Sequence, residues 1–160
     1  MNLAAANAAG ASAFADIAEH SPWVAERAFK HAPFSNREDM INLFGSAVMT
    51  ASKKMQLALL NAHPDLATRA KLTTDSSHEQ KGAGLDTLSP EELMRFTALN
   101  VAYKAKNGFP FIFAVKGADK YQILKGFELR GANDTKFEFV KALQQVCLII
   151  RFRLEDRVSA

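Results

Sequence analysis

The sequence predicts an all-α fold, and three observations lead to that prediction. Apolar residues recur at helical spacing along most of the 160-residue chain. Serine, asparagine, proline and glycine mark the starts and ends of these stretches. Residues 109–115 form an apolar run, interrupted by Pro110, that alone would read as a buried strand, but no second strand of comparable quality exists to pair with it. We therefore expect one domain over residues 1–160, a bundle of about seven or eight helices with a buried extended Phe-Pro-Phe-Ile segment.

The first half of the chain has clear helix signals after a start, residues 1–10, that we expect to be loose. The pair Ser21-Pro22 predicts a helix with Ser21 as N-cap and proline in the first position. Residues 35–38 have the form of a capping box, which predicts the start of the next helix. A further helix then begins near Lys53. It should end before His63-Pro64, because a residue that precedes proline is disfavoured in the α region.

The second half begins with residues 67–75, which we predict to form a turn of helix and a loop. Ser89-Pro90 is the strongest helix start in the chain, because Glu92 completes a capping box, and Asn107-Gly108 ends that helix. The next helix covers 120–130, and Asn133 or Asp134 caps a long final helix. One face of the final helix is expected to be buried, through Phe137, Val140, Leu143, Gln144, Cys147 and Ile150.

Composition excludes several classes of protein. The 20 basic and 17 acidic residues are interleaved, so the net charge of +3 gives no basic face for nucleic acid. No apolar stretch approaches the length of a membrane span. A single cysteine, Cys147, allows no intramolecular disulfide and fits a reducing cytoplasm. No group of residues has metal-ligand spacing and no glycine-rich phosphate loop is present, so no metal is expected.

Two short stretches carry residue types that can do acid–base chemistry. His63 is a candidate general acid or base, since imidazole titrates near neutral pH; a solvated helix-end histidine is the alternative. Ser76-x-x-Glu79 has the spacing of a capping box. Functionally, Glu79-Gln80 would set a carboxylate and an amide at a helix start, where free backbone N–H groups can hold an anion. Spacing alone leaves both interpretations open.

The extended segment and three arginines are candidate ligand contacts. Backbone N–H and C=O groups of a buried extended segment are paired by no helix and need partners. A small heterocycle with amide-like edges would supply them. A guanidinium offers a planar fork for a carboxylate, which makes Arg130, Arg151 and Arg153 candidates, each with a solvated surface role as the alternative.

Taken together, these motifs resemble the 2-oxo-4-hydroxy-4-carboxy-5-ureidoimidazoline (OHCU) decarboxylases of urate breakdown. The resemblance runs in order over about residues 14–157. Two positions depart from the family pattern: Asn107 stands where an aromatic residue is common, and Gly131 where leucine is usual. The motifs that carry the resemblance are Glu19-His-Ser-Pro-Trp23, His63-Pro-Asp-Leu66, Ser76-x-x-Glu79-Gln80-x-x-Ala83-Gly-Leu85, Leu99-Asn100-x-x-Tyr103, Gly108-Phe-Pro-Phe-Ile112, Asn133-Asp134, Glu138 and Arg153-Leu154.

The resemblance implies a helical carboxy-lyase that uses neither a metal nor an organic cofactor. Its substrate is an unstable ureidoimidazoline made from urate, and its product is (S)-allantoin. The implied catalytic pair is His63 and Glu79. The resemblance also suggests a homodimer. From the composition we expect a cytoplasmic protein that binds neither nucleic acid nor membrane. The implied substrate-binding residues are Pro64, Ser76, Gln80, Phe111, Ile112, Phe113, Ala114, Val115 and Arg153.

Two other functions stay open. One is a non-catalytic helical module of the same fold that binds ureides or a protein partner. The intact set of His63, Glu79, Gln80 and Arg153 argues against it, because a retired enzyme tends to lose such groups. The other is a related helical enzyme that acts on a different small ureido acid. The sequence also leaves open which of His63 and Glu79 is the acid and which is the base.

Overall fold

The computed structural model is all-helical in the part of the chain that it describes, residues 1–68 and 72–160. Eight α-helices and one short 3₁₀ helix occupy those ranges, without a strand, which confirms the predicted fold class. Of the predicted turn and loop 67–75, residues 69–71 lie outside the described ranges. None of the described helices is long and apolar enough to span a membrane. The helices are α1 (Leu3–Ala9), the 3₁₀ helix (Ala11–Phe14), α2 (Trp23–Phe29), α3 (Arg37–Met49), α4 (Lys53–Asn61), α5 (Thr74–Gly82), α6 (Pro90–Asn107), α7 (Lys120–Arg130) and α8 (Thr135–Arg157).

The chain divides into two compact units. The first unit comprises Met1–Ala62 and Val146–Ala160, and the second comprises His63–Gln145. Helices α1–α4 lie in the first unit, and α5–α7 lie in the second. The long helix α8 contributes its N-terminal residues to the second unit and its C-terminal residues to the first.

The N-terminus of the first unit is helical, which differs from the loose start that the sequence suggested. Asn2 caps α1 by accepting a hydrogen bond from the Ala5 backbone N–H at 2.9 Å. Asn7 then pairs with both backbone groups of Phe34, at 2.9 Å and 3.1 Å, and Ala6 is fully buried. Tertiary contacts therefore order a segment whose composition carries only a weak apolar signal.

Two predicted helix starts in the first unit are shifted. Ser21 does not cap α2, because its hydroxyl donates instead to the Glu19 carbonyl at 2.7 Å, and the helix begins at Trp23. Helix α3 is capped by Asn36, which accepts from the Asp39 N–H, while the Asp39 carboxylate accepts from the Ser35 N–H. The N-cap is thus one residue later than predicted, and the carboxylate bond goes to the residue before the N-cap, so the capping box predicted for residues 35–38 does not form.

The central helix of the second unit, α6, follows its prediction closely. Ser89 and Glu92 form the capping box, and Gly108 ends the helix in the left-handed region with φ +79°. An aromatic cluster packs on this helix: Tyr103 meets Phe109, Phe111 and Phe127 edge-on, with ring centroids 5.4 to 6.0 Å apart. Helix α6 is thus a rigid platform for the residues on either side of it.

The buried face of α8 includes the predicted Leu143 and Ile150 but differs from the prediction near the start of the helix. Phe137 and Val140 are 57% and 47% exposed, whereas Glu138 is fully buried. Glu138 accepts hydrogen bonds from Tyr103 at 2.6 Å and from Arg130 at 2.9 Å. These polar partners allow a charged side chain to be buried. A prediction from the spacing of apolar residues cannot detect this, because it assigns charged residues to the exposed face.

Candidate active site

Helix α5 buries polar side chains in place of an apolar stripe. Its two buried residues are Ser76 and Gln80, and Glu79 beside them is half-buried. Residues three and four apart share one face of a helix, so these three side chains form one polar face. A helix normally turns its apolar face to the core. A buried polar face therefore indicates a helix that serves a ligand or a polar network.

The capping-box interpretation of Ser76 and Glu79 is wrong. The N-cap of α5 is Thr73, whose hydroxyl accepts from the Ser76 N–H at 3.3 Å. Ser76 consequently lies inside the first turn, and Glu79 and Gln80 lie in the second turn. The helix start needs neither of their side chains. The predicted anion site at a helix start is likewise displaced, because Glu79-Gln80 lies beyond the free N–H groups of the first turn.

The loop that follows His63 is held from two helices. The Asn100 amide on α6 donates to the Leu66 carbonyl at 2.9 Å. The side-chain oxygen of Gln80 on α5 accepts from the Ala67 N–H at 3.0 Å. Ala67 adopts a positive φ of 58°, a conformation that costs a residue with a Cβ about 1–2 kcal/mol. These bonds fix the turn that directly follows the half-buried His63 and Pro64.

The hydrogen bond to Ala67 fixes the orientation of the Gln80 side-chain amide. Its oxygen is bonded to the loop, and no described residue accepts a hydrogen bond from its Nε2 group. The amide nitrogen carries two donors. Gln80 can therefore offer both of its N–H donors to a bound molecule.

The buried segment 109–115 has unused backbone donors. Ala114 donates its N–H to the Gln145 side chain at 2.9 Å, and Ile112 accepts at its carbonyl from Arg130 at 2.6 Å. No described residue accepts from the N–H groups of Phe111, Ile112, Phe113 or Val115. Buried backbone donors are almost always paired in native proteins. Of the predicted contacts here, the Ala114 donor is thus already engaged, and the others are available to a ligand.

Arg153 is the predicted site residue that lies in the first unit; the others belong to the second. Its guanidinium is buried against the buried Glu19 carboxylate, Nη2 to Oε1 at 2.9 Å, and Nη1 donates to the Ile17 carbonyl at 3.1 Å. Arg151 differs, because it pairs with Glu38 and Glu155 at the surface. The Glu38 bond raises the pKa of Arg151.

Sequence reasoning assigned no role to Glu19, Asn100 or Glu138. Each is a buried polar side chain that holds a predicted site segment or arginine. Burial and the hydrogen bond to Glu138 raise the pKa of Tyr103 well above its usual range, so its hydroxyl stays a donor. The signal was present in the motifs Glu19-His-Ser-Pro-Trp23 and Leu99-Asn100-x-x-Tyr103, which the family resemblance includes. No described group of three or more His, Cys, Asp and Glu residues could hold a metal ion.

A family model described as OHCU decarboxylase matches residues 4–155. The chain belongs to the OHCU decarboxylase family. It is 43% identical over 148 residues to the OHCU decarboxylase of Haloferax volcanii, covering 92% of this chain and 88% of that protein. It is 33% identical over 151 residues to the putative human OHCU decarboxylase, covering 92% and 87%. The family match includes all of the second compact unit and all but the terminal residues of the first.

Solved structures and a longer relative show the same similarity. A crystal structure of (S)-allantoin synthase superimposes with a TM-score of 0.80 at 31% identity, covering 99% of this chain and 54% of that one. An OHCU decarboxylase solved in the presence of (S)-allantoin shares the fold, with a TM-score of 0.75, 21% identity and coverage of 91% and 96%. The uric acid degradation bifunctional protein of Bacillus subtilis is 39% identical over 89% of this chain, which spans 29% of that longer protein.

Proposed function

We propose that this protein decarboxylates OHCU to (S)-allantoin in urate breakdown, without a metal or an organic cofactor. The observation that carries the proposal is the family match over residues 4–155, which includes the buried polar face of α5 and the loop after His63. The similarity to the OHCU decarboxylase of Haloferax volcanii, which covers 92% of this chain and 88% of that protein, also supports the proposal.

The reaction requires the protein mainly to position the substrate. The bond between the ring carbon and the carboxylate breaks, CO₂ leaves, and the electron pair forms a C=C bond to the neighbouring ring carbon while the electrons of its C=N bond move onto the ring nitrogen. The ring nitrogen takes a proton from solvent. The hydroxyl on the decarboxylated carbon then loses its proton as a carbonyl forms, and the neighbouring ring carbon gains one proton, so the carboxylate form of the substrate takes up one proton overall. The substrate supplies its own electron sink. Orientation, charge stabilisation and delivery of a proton to one face are left to the protein.

His63 and Glu79 would handle these protons. In the proposal they manage the hydroxyl proton together, and His63 then protonates the ring carbon on one face, which sets the (S) configuration. The fixed turn at Leu66-Ala67 supports this role because it restricts the backbone near His63. Pro64 and Ser76 would line the pocket.

Donors would hold the oxygen atoms of the substrate. Gln80 would donate through Nε2, and the free N–H groups within 111–115 would meet the ring and ureido oxygens. Arg153 would bind the substrate carboxylate or a ureido oxygen. The proposal also includes a cytoplasmic homodimer, which light scattering of the purified protein would test.

The test is the circular dichroism of allantoin as urate is oxidised in the presence of urate oxidase and hydroxyisourate hydrolase. We expect the protein to produce a rapid signal of the (S) isomer, and H63Q and E79Q to reduce its rate by at least about 100-fold, the usual contribution of a positioned acid or base. H78Q is the matched control, since His78 is exposed on the same helix α5. Only slow, racemic allantoin with the wild-type protein would favour the binding module. Thermal shifts with allantoin and other ureides would then identify a different ureido substrate or ligand.

A further inference from the structure

A buried ion pair lies directly beside the segment 109–115. The Arg130 Nε donates to Glu138 Oε1 at 2.9 Å, and both side chains are at least nine-tenths buried. Two more donors reach Glu138, the Tyr103 hydroxyl at 2.6 Å and the Asn133 amide at 3.0 Å. The carboxylate is thus surrounded by hydrogen-bond donors from α6, α7 and the turn before α8.

Arg130 uses its remaining groups on the segment itself. Its Nη1 donates to the Ile112 carbonyl at 2.6 Å. Its guanidinium carbon lies 4.4 Å from the centre of the Phe111 ring, and that ring stacks on Phe127 with centroids 3.9 Å apart and planes 8° apart. One side chain therefore fixes a backbone carbonyl and the adjacent aromatic ring.

Stability alone is a poor explanation for this arrangement. A buried ion pair seldom stabilises a protein more than well-packed apolar residues of similar size, because both charges lose their water. Here the pairing is also incomplete, since Arg130 Nη2 is buried and no described residue accepts a hydrogen bond from it. The pair does fix the orientation of the groups around it, because the planar guanidinium fork defines the positions of its hydrogen-bond acceptors.

We propose that Arg130 is a positioning residue which, locked by Glu138, sets the segment 111–115 so that its free backbone N–H groups meet the substrate. This inference rests on the proposed function, in which those N–H groups bind the ring and ureido oxygens. Arg130 acts through the segment, at the Ile112 carbonyl and the Phe111 ring.

The decisive variant is Arg130→Lys, compared with Arg95→Lys. Lysine keeps the charge that Glu138 needs, but its single ammonium group cannot reproduce the fork that also holds Ile112 and covers Phe111. Arg95 pairs with Glu128 on the exposed surface of the same unit, so R95K makes the same change outside the cluster. Two quantities are measured for each variant. Steady-state kinetics in the coupled allantoin assay give kcat and KM, and hydrogen exchange reports on the backbone amides in peptides covering 109–116. Glu138→Gln provides a second disruption that keeps the shape of the side chain.

For R130K we expect a folded protein with KM raised at least about 10-fold and kcat/KM lowered about 100-fold, the usual result of a misplacement near 1 Å. Exchange at 111–115 should be faster than in wild type, while R95K should match wild type in both assays. E138Q should change both quantities in the same direction. A merely structural role would lower the folded fraction and leave KM of the folded enzyme unchanged.

The two proposals fail differently. Wild-type protein without decarboxylase activity would overturn the proposed function, and hydrogen exchange would still test whether Arg130 holds the segment. Active wild type together with a folded R130K of unchanged KM and unchanged exchange at 111–115 would overturn the positioning role alone. If R130K does not fold, the same comparison is made with E138Q, and unchanged KM and exchange in that variant would overturn the proposal.

Discussion

Substitution of Glu19 by alanine tests the buried ion pair of the first unit. Glu19 and Arg153 are 1% and 5% exposed, and their charged atoms are 2.9 Å apart. Removal of the carboxylate takes away the 2.9 Å partner of a guanidinium that stays buried.

The expected loss is large. Breaking a buried ion pair by deleting one partner costs about 3–5 kcal/mol. For a chain of 160 residues, each kcal/mol shifts Tm by about 2–4 °C, so E19A should melt roughly 6–20 °C below wild type. Urea unfolding followed by circular dichroism gives the free energy of unfolding directly, and an unchanged slope with denaturant would attribute the loss to the native state.

Asp16→Asn is the matched control within the same unit. Asp16 also pairs with an arginine, Arg157, at 2.6 Å, but its side chain is 72% exposed. An exposed ion pair contributes about 0–1 kcal/mol, so D16N should unfold within about 1 kcal/mol of wild type. Equal losses in E19A and D16N, or a loss below about 1 kcal/mol in E19A, would refute the argument that burial makes the Glu19–Arg153 pair energetically important.

Three further substitutions or reactions test local features. A Cβ on Gly126 in α7 would lie 2.9 Å from the Phe113 ring, so G126A should displace that ring and raise KM, although alanine favours a helix by up to about 1 kcal/mol over glycine. G45A in α3 is the control, because a Cβ there meets only an ordinary contact at 3.9 Å. It should raise the free energy of unfolding measured in urea. Burial raises the pKa of the Cys147 thiol to about 11, so iodoacetamide at pH 8 should alkylate native protein roughly 100-fold or more slowly than urea-unfolded protein; equal rates would show that the thiol is accessible. Because Ala67 has φ +58°, A67G should raise the free energy of unfolding by up to about 1 kcal/mol and A67V should lower it, and shifts of the same sign in urea unfolding would contradict the left-handed conformation.

Helix starts could be predicted from the sequence where the capping chemistry had one solution. Ser89 is followed by proline and then by Glu92, and both bonds of the capping box form as predicted. At α5 we considered only Ser76 as the cap, although Thr73, Thr74 and Ser77 also carry hydroxyl groups, and the structure uses Thr73. Spacing could not decide between them, because the burial of Ser76 depends on tertiary packing and not on the local chain.

The identities of the candidate site residues were easier to predict from the sequence than the hydrogen bonds between them. Family motifs indicated His63, Glu79, Gln80 and Arg153, and their roles stay predictions. The sequence did not reveal that the Gln80 oxygen is bonded to Ala67, nor that Ala114 donates to Gln145. Both bonds join residues more than ten positions apart, and helical periodicity reports only neighbours within a turn or two. The directions of the available donors therefore emerged only with the tertiary structure.

Buried polar groups in this protein concentrate where predicted site segments must be held in one orientation. Apolar burial is non-directional, so a core of phenylalanine rings can stabilise a fold without fixing the direction of one carbonyl or one guanidinium. Hydrogen bonds weaken steeply when misaligned, so a buried donor and acceptor define both distance and angle. Three clusters among the described residues tie site segments by such directional bonds, although polar groups are expensive to bury. We infer that their main contribution is placement; the clusters are Arg153 with Glu19, Arg130 with Glu138, and Gln80 and Asn100 with the Leu66-Ala67 turn.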